Sequence, residues 1–492
     1  MTTPNDARAA SHQRAPNLNS TPNPNRWKAL AVLGLFQFML VLDITVVNVA
    51  LPRIQADLGF TSAGLAWVLN GYILMAAGFL LLGGRVADIF GRRRIFLLGV
   101  GVFAIASVVS GSAVSSGMLI AGRFAQGLGE ALAAPAALGL VVLLFQDPRE
   151  RMKALGLWGG LSGLGGVSGS VISGVLTDVA SWRYIFFINV PVAVVAVILI
   201  PIIVKENRMP RAGAKLDVPG ALLGTAGMIG IVAGLLAAAS SPWASWSVAG
   251  PLVAGIALIA LMVVVEARSA GPLFPLSFFA DRVRVVTYAA LLVNAAVFLT
   301  YVFLLTLFEQ TVLGYSPLQG GLSYLPLGLG IGAGLAVGTA LMPRLGPQLL
   351  LGIGLLGFAA GALISSRIDA DSSWASGILP GMIVIAVFSG VIMPAATNAA
   401  FHGVTSRDSS LASAVQSVMM QVGGSLGLSG IVVLALRRTH DLTVLGVSEH
   451  AAAAGGFALA FLVGAALLTV MGVVCLGALR RSARRGPVLR PQ

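Results

Sequence analysis

The stretch LVLDITVVNVALP, Leu40 to Pro52, runs Leu, Val, Ile and Ala around one aspartate, Asp43, and one asparagine, Asn48. It belongs to an apolar run over 27–51, long enough at about 20 residues to cross a bilayer as a helix. An ionisable residue in such a run costs at least about 2.5 kcal/mol to insert, so it marks a function or has a partner. The rest of the chain has the same character. Of 492 residues 57% are hydrophobic and 10% charged, with a mean hydropathy of +0.92. Soluble domains carry about 25% charged residues. The chain is therefore a polytopic membrane protein, and its 61 glycines suit close helix contact.

Working outward, the sequence contains fourteen runs of spanning length, near 27–51, 65–84, 95–113, 118–142, 154–177, 184–204, 217–239, 246–266, 285–308, 320–342, 347–366, 375–397, 410–436 and 454–479. Lipid leaves no partner for the backbone of an open strand, so these runs are helices. With the first tail in the cytoplasm, 25 of the 31 Lys and Arg lie inside and five outside (Arg53, Arg183, Arg367, Arg437, Arg438), with Arg123 within a helix. That asymmetry obeys the positive-inside rule and accounts for the net charge of +13 without nucleic-acid binding. An even helix count puts both termini in the cytoplasm.

The runs divide as six, two and six. Residues 1–26 read as a disordered cytoplasmic tail, 27–204 as a six-helix bundle and 205–284 as a linker holding two extra helices. A second six-helix bundle covers 285–480, followed by a basic cytoplasmic tail, 481–492. LAAPAALG (132–139) and IMPAATN (392–398) repeat Pro-Ala-Ala in the fourth helix of each half. GGRVADIFGRRR (83–94) and GTALMPRLG (338–346) share a Gly spacing at Gly83/Gly338 and Gly91/Gly346. Related halves imply a substrate site between them near the midplane.

Six stretches carry a family resemblance: LDITVVNVALP (42–52), GGRVADIFGRRR (83–94), RFAQGLGEA (123–131), WGGLSGLGGVSGSVISG (158–174), WRYIFFINVP (182–191) and LGYSPLQGGLSYLP (313–326). Together and in this order they resemble the major facilitator superfamily, specifically its fourteen-helix drug:H⁺ antiporter branch. The resemblance implies an all-α membrane fold of two six-helix bundles plus two linker helices, working by alternating access. It implies a multi-pass protein of a bacterial plasma (inner) membrane that acts as a monomer. It also implies that Gly84, Asp88, Gly91, Arg92 and Arg93 form a conformational latch between the halves on the cytoplasmic side, a plain basic loop being the alternative. Gly159, Gly163, Gly166 and Gly169 fall in the helix-five antiporter motif, where Ser170 replaces the family's usual proline and removes the expected kink.

Three charges decide the mechanism. At 1.5 Å per residue Asp43 lies about 12 Å from the outer end of its helix, and Arg123 about 8 Å. Asp43 reads as the proton-coupling acid, with a satisfied structural acid as the alternative. Glu130, where the family usually has a small residue, follows Arg123 by two turns, with Gln126 and Gly127 between on the same face. It is either a second protonatable or cation-binding acid, or the compensating partner of Arg123. Asn48, Gln126, Asn294, Tyr301, Asn398 and Gln416 are candidates for the substrate cavity or for interhelical hydrogen bonds. Glu309 joins them, or else snorkels to the outer interface.

None of the four lysines is followed by Ser or Thr, so the chain has no phosphate-binding loop of the ATPase type. The four histidines have no metal-ligand spacing, no nucleophile–base set stands out, and the single Cys475 forms no disulfide within the chain. The expectation is a transporter without cofactor, metal or catalytic residues, driven by the proton gradient and exporting an amphipathic, drug-like, cation-leaning substrate. A proton-coupled symporter, an exporter of an endogenous metabolite and a membrane sensor or scaffold are the rival readings.

Overall fold

The computed structural model describes residues 24–205, 216–269, 276–402, 404 and 409–483. The tail at 1–23, the linker stretches 206–215 and 270–275, residues 403 and 405–408, and the terminal residues 484–492 lie outside them. Among the described residues the regular structure is helical: α1 Arg26–Leu58, α2 Ser62–Phe90, α3 Arg92–Gly111, α4 Ser116–Leu144, α5 Pro148–Val179, α6 Tyr184–Phe187, α7 Asn189–Ile203, α8 Val218–Ala237 and α9 Trp246–Arg268. There follow α10 Arg282–Leu307, α11 Pro317–Ser323, α12 Leu325–Ser365, α13 Leu379–Ala400, α14 Ser409–Val444 and α15 Glu449–Ala483. Thirteen of the helical segments are long and apolar enough to span a membrane. One of them, Pro317–Ser365, is two spans in a row: Gly346 at φ 73°, ψ 160° breaks α12 between Pro343 and Pro347. The fourteen runs of the sequence are thus all present as helix.

Local chemistry sets the helix ends. Thr61 caps α2 by accepting Gly64 N–H, and Asp147 accepts Arg149 and Glu150 N–H at the start of α5, where Pro148 needs no partner for a missing N–H. Ser316 and Gln319 form a reciprocal capping box at α11. Gly91, at φ 104°, turns α2 sharply into α3.

Packing follows the small residues. A Cβ on Gly427 or Gly423 would meet the backbone of Ala296 or Leu292, which lets α14 lie directly on α10. Gly165 and Gly169 bring α5 against Phe38 and Thr45 of α1 in the same way. A Cβ on Gly166 would reach only Val41, at 4.0 Å, and one on Gly159 would meet nothing within 4 Å. The surroundings of Gly163 lie outside the described residues. The extra helices α8 and α9 pack on each other, and α8 also lies against α2 and α14.

Candidate functional site: a buried charge network behind a one-sided cavity

Asp43 of α1 and Arg123 of α4 are both 0% exposed and meet at 2.5 Å, Nη1 donating to Oδ2. Gln126, one turn along α4, accepts from the same Nη1 at 2.9 Å. Through Nε2 it donates to Asp43 Oδ1 at 3.3 Å and to Ser107 Oγ at 2.8 Å. Asn189, at the start of α7, donates to Asp43 Oδ1 at 2.7 Å. Arg123 Nε donates to the Val68 carbonyl of α2 at 2.9 Å, and its guanidinium lies 4.3 Å from the centre of the Tyr72 ring. Five helices thus converge on one ion pair. Two buried charges cost several kcal/mol of desolvation each, which pairing and these hydrogen bonds offset. Arg123 Nη2 is left without a partner, as are Tyr72 OH and one oxygen of Glu130.

Glu130, one turn beyond Gln126, forms no ion pair with Arg123. It lines a cavity of about 880 Å³ instead. The other polar walls are Gln37 of α1, Asp88 of α2, Arg85, Arg92, and Ser413, Ser417 and Gln421 of α14; Trp158 and Phe401 supply aromatic surface. Both halves therefore face this space. It lies toward the α2–α3 junction at Gly91, and Gly84, Asp88 and Arg92 are part of the wall.

Asp88 pairs with Arg92 at 2.8 Å, and Arg92 Nη1 donates to the Gly139 carbonyl of α4 at 2.7 Å. Arg93 donates to the Val204 carbonyl at 2.9 Å. Asp88 and Arg92 thus bind within the first half, tying α2, α3 and α4 beside an open cavity, and reach no residue of the second half among the described residues.

The opposite face is shut. Gln310 Nε2 donates to the Val49 carbonyl of α1 at 2.8 Å, joining the two halves. Gly321 abuts the Ser170 and Val171 backbone of α5, and Gly174 abuts Pro317 and Leu318. Deeper in, Asn70 of α2 donates to Ser429 of α14 at 3.2 Å.

The remaining candidates lie elsewhere. Gln126 belongs to the charge network and not to the cavity wall. Asn48 and Tyr301 are buried, each with an unpartnered oxygen, as is Asn294 Oδ1. Asn398 donates to the Pro394 carbonyl and Gln416 to Thr397 Oγ1. None of these lines the cavity. Glu309 does not snorkel: it is 0% exposed with both oxygens unpartnered. Among the described residues no three His, Cys, Asp or Glu gather as a metal site. The sequence reading did not single out Asn189 or Ser107 in the network, or Gln37, Trp158, Phe401 and Gln421 in the wall. Only Asn189 and Trp158 had a signal, as members of quoted motifs.

Residues 33–428 match the model of the Major Facilitator Superfamily. The chain belongs to that superfamily. Among its relatives, the puromycin resistance protein of Streptomyces alboniger is 39% identical over 92% of this chain and 91% of its own. The lincomycin resistance protein of Streptomyces lincolnensis is 36% identical over 82% and 83%. The cephamycin export protein of Amycolatopsis lactamdurans is 35% identical over 94% of each. Of solved structures, an auto-inhibited POT family peptide transporter matches with a TM-score of 0.69 at 16% identity, over 94% of this chain and 99% of its own. An inward-facing, occupied bacterial homologue of the human lysosomal transporter Spinster matches at 0.62 with 17% identity, over 94% and 98%. At those identities the structures share the fold alone. The superfamily member is thus a multi-pass membrane transporter and not an enzyme, as its motifs implied.

Proposed function

We propose that this superfamily member exports an amphipathic, drug-like cation in exchange for protons across a bacterial plasma membrane, with the α2–α3 junction and both termini in the cytoplasm. The antibiotic resistance and export relatives support the cargo class. The observation that carries the mechanism is a fully buried Asp43–Arg123 pair set directly behind a cavity acid, Glu130, in a molecule open on one face only. On this reading the cavity faces the cytoplasm. Glu130, free of Arg123, receives the cationic end of the cargo, while Trp158 and Phe401 cover its apolar part. Tyr72 stands between, facing Glu130 on one side and the Asp43–Arg123 pair on the other. Asp43 carries the coupling proton. Closing the cavity re-forms the latch across the halves, and the far face opens. A proton entering down 100 mV gains about 2.3 kcal/mol from the field.

The test is uptake of a fluorescent cationic drug by inverted vesicles whose lumen is acidified. The parent protein fills the vesicles. Asp43→Asn loses gradient-driven uptake while retaining drug binding. Uptake in Asp43→Asn that still follows the pH gradient would refute the assignment, and accumulation only in right-side-out vesicles would favour the symporter.

A further inference from the structure

Glu309 is the second fully buried acid of the described residues, and it lies on neither the cavity nor the Asp43 network. After Leu307 the helix α10 widens into a π-turn, Phe308–Val312, which swings two successive side chains onto the closed face. Gln310 goes to the Val49 carbonyl of the other half. Glu309 goes inward, behind α11: a Cβ on Gly320 would stand 3.8 Å from Glu309 Oε2 and 3.6 Å from Gln310 Nε2. The acid therefore touches the short helix whose next residue, Gly321, is pressed on the Ser170 backbone of α5.

Among the described residues no charge compensates Glu309: it has no ion pair, and both oxygens lack a hydrogen-bond partner. Two donors face it: Ser323, whose hydroxyl is used on the Gly320 carbonyl at 2.7 Å, and Trp374, whose Nε1–H is itself unpartnered. The titratable groups facing it are all tyrosines: Tyr301 on α10, Tyr315 in the following turn, and Tyr324 before α12. The Tyr324 hydroxyl is held by Thr306 at 2.7 Å and the Val302 carbonyl at 2.8 Å. Phe308 beside it packs on Phe457 of α15, at 6.2 Å between centroids. Such a setting suits a carboxylic acid and penalises a carboxylate, because several kcal/mol of desolvation have nothing to offset them.

We infer that Glu309 is a second proton-binding site, which seals the far face of the transporter when it holds a proton and releases that face when it loses one. The proposal rests on the exporter reading for its orientation, since the far face is then the outside, where the medium sets proton supply. Its logic is separate from Asp43. Protonation removes the charge that α11 would have to cover, so Gly321 can close on α5 and Gln310 on Val49. Ionisation draws water to Glu309, which requires the π-turn and α11 to part. External acid thereby closes the face through which cargo has left.

The test reads the seal itself. In full-length protein in proteoliposomes, with Cys475→Ser to remove the native thiol, Ser170→Cys places a thiol on the α5 residue whose backbone Gly321 covers. Its labelling by an impermeant maleimide is divided by that of Ser240→Cys, an exposed position between α8 and α9, which removes the thiol's own pH dependence. The ratio rises with external pH, by up to about tenfold per pH unit, the slope of one linked proton. Glu309→Gln, neutral at every pH, flattens the ratio at its low value; Glu309→Asp restores the slope; Asp43→Asn leaves it in place. A slope that survives Glu309→Gln, or that Glu309→Asp fails to restore, overturns the proposal. If instead only Asp43→Asn removes it, the far-face seal answers to the coupling site and Glu309 has no part in it. Drug uptake by the Asp43→Asn vesicles tests the exporter reading independently.

Discussion

Neutralising one member of the central pair should cost stability that neutralising both returns. In Asp43→Asn, Arg123 stays at 0% exposure with its Nε on Val68 and one Nη on Gln126, but its counter-charge is gone. Removing one partner of a buried pair costs about 3–5 kcal/mol, mostly for the charge left behind. The asparagine still offers an oxygen to Asn189 and Arg123, which puts the cost near the lower figure, about 3 kcal/mol. Arg123→Gln strands Asp43 likewise, although Gln126 and Asn189 continue to donate to its Oδ1. In the double variant no charge is buried and a chain of amides remains. The two single losses therefore fail to add, with a coupling of about 2–3 kcal/mol, at the upper end for contacting residues. The assay is denaturant unfolding of all four proteins in one detergent, followed by circular dichroism. Additive losses, with the double variant at about 6 kcal/mol, would show that the pair contributes nothing as a pair, and would remove the reason for placing the coupling proton there.

Two further outcomes follow from the same geometry. Glu130→Gln should weaken a cationic drug by about 1–2 kcal/mol, between the ~1 of water and the ~4 of a protein surface at 4 Å. That is about tenfold in Kd, read from quenching of Trp158 in the cavity wall, and a neutral analogue should bind unchanged. Gly427→Val would drive its side chain into the Ala296 backbone of α10, where no side chain can move aside. It should lose about 1–3 kcal/mol or more, seen as a lower melting point in detergent, whereas Gly430→Val, which meets open space, should not.

What the sequence shows and hides follows from what lipid demands. Spanning helices announce themselves by length and apolarity, and the break at Gly346 is legible because Pro343, Arg344 and Pro347 crowd around it. The similar depth of Asp43 and Arg123 is legible too, but that Arg123 pairs with Asp43 and not with Glu130 on its own helix is not. Helix faces are not. A helix that is apolar on every side carries little periodic signal, so nothing in the sequence separates Gln37 and Gln421 at the cavity from Gln416 outside it. Glu309 was misplaced for a different reason. Counting residues puts it at a helix end, but the π-turn carries the helix past it and α11 folds back over it.

On the proposed exporter reading, Glu130 and Asp43 divide one task. A proton and a cargo cation compete only at an acid that both can reach, and in this state that acid is Glu130, because Asp43 has no exposure at all. Tyr72 and Gln126 stand between the two: Gln126 donates to Asp43, and the Tyr72 ring lies under the Arg123 guanidinium. On the exporter reading proposed above, cargo in the cavity reaches Glu130 while the Asp43–Arg123 pair stays covered, so any exchange of cargo for a proton at Asp43 has to be transmitted through Tyr72 and Gln126.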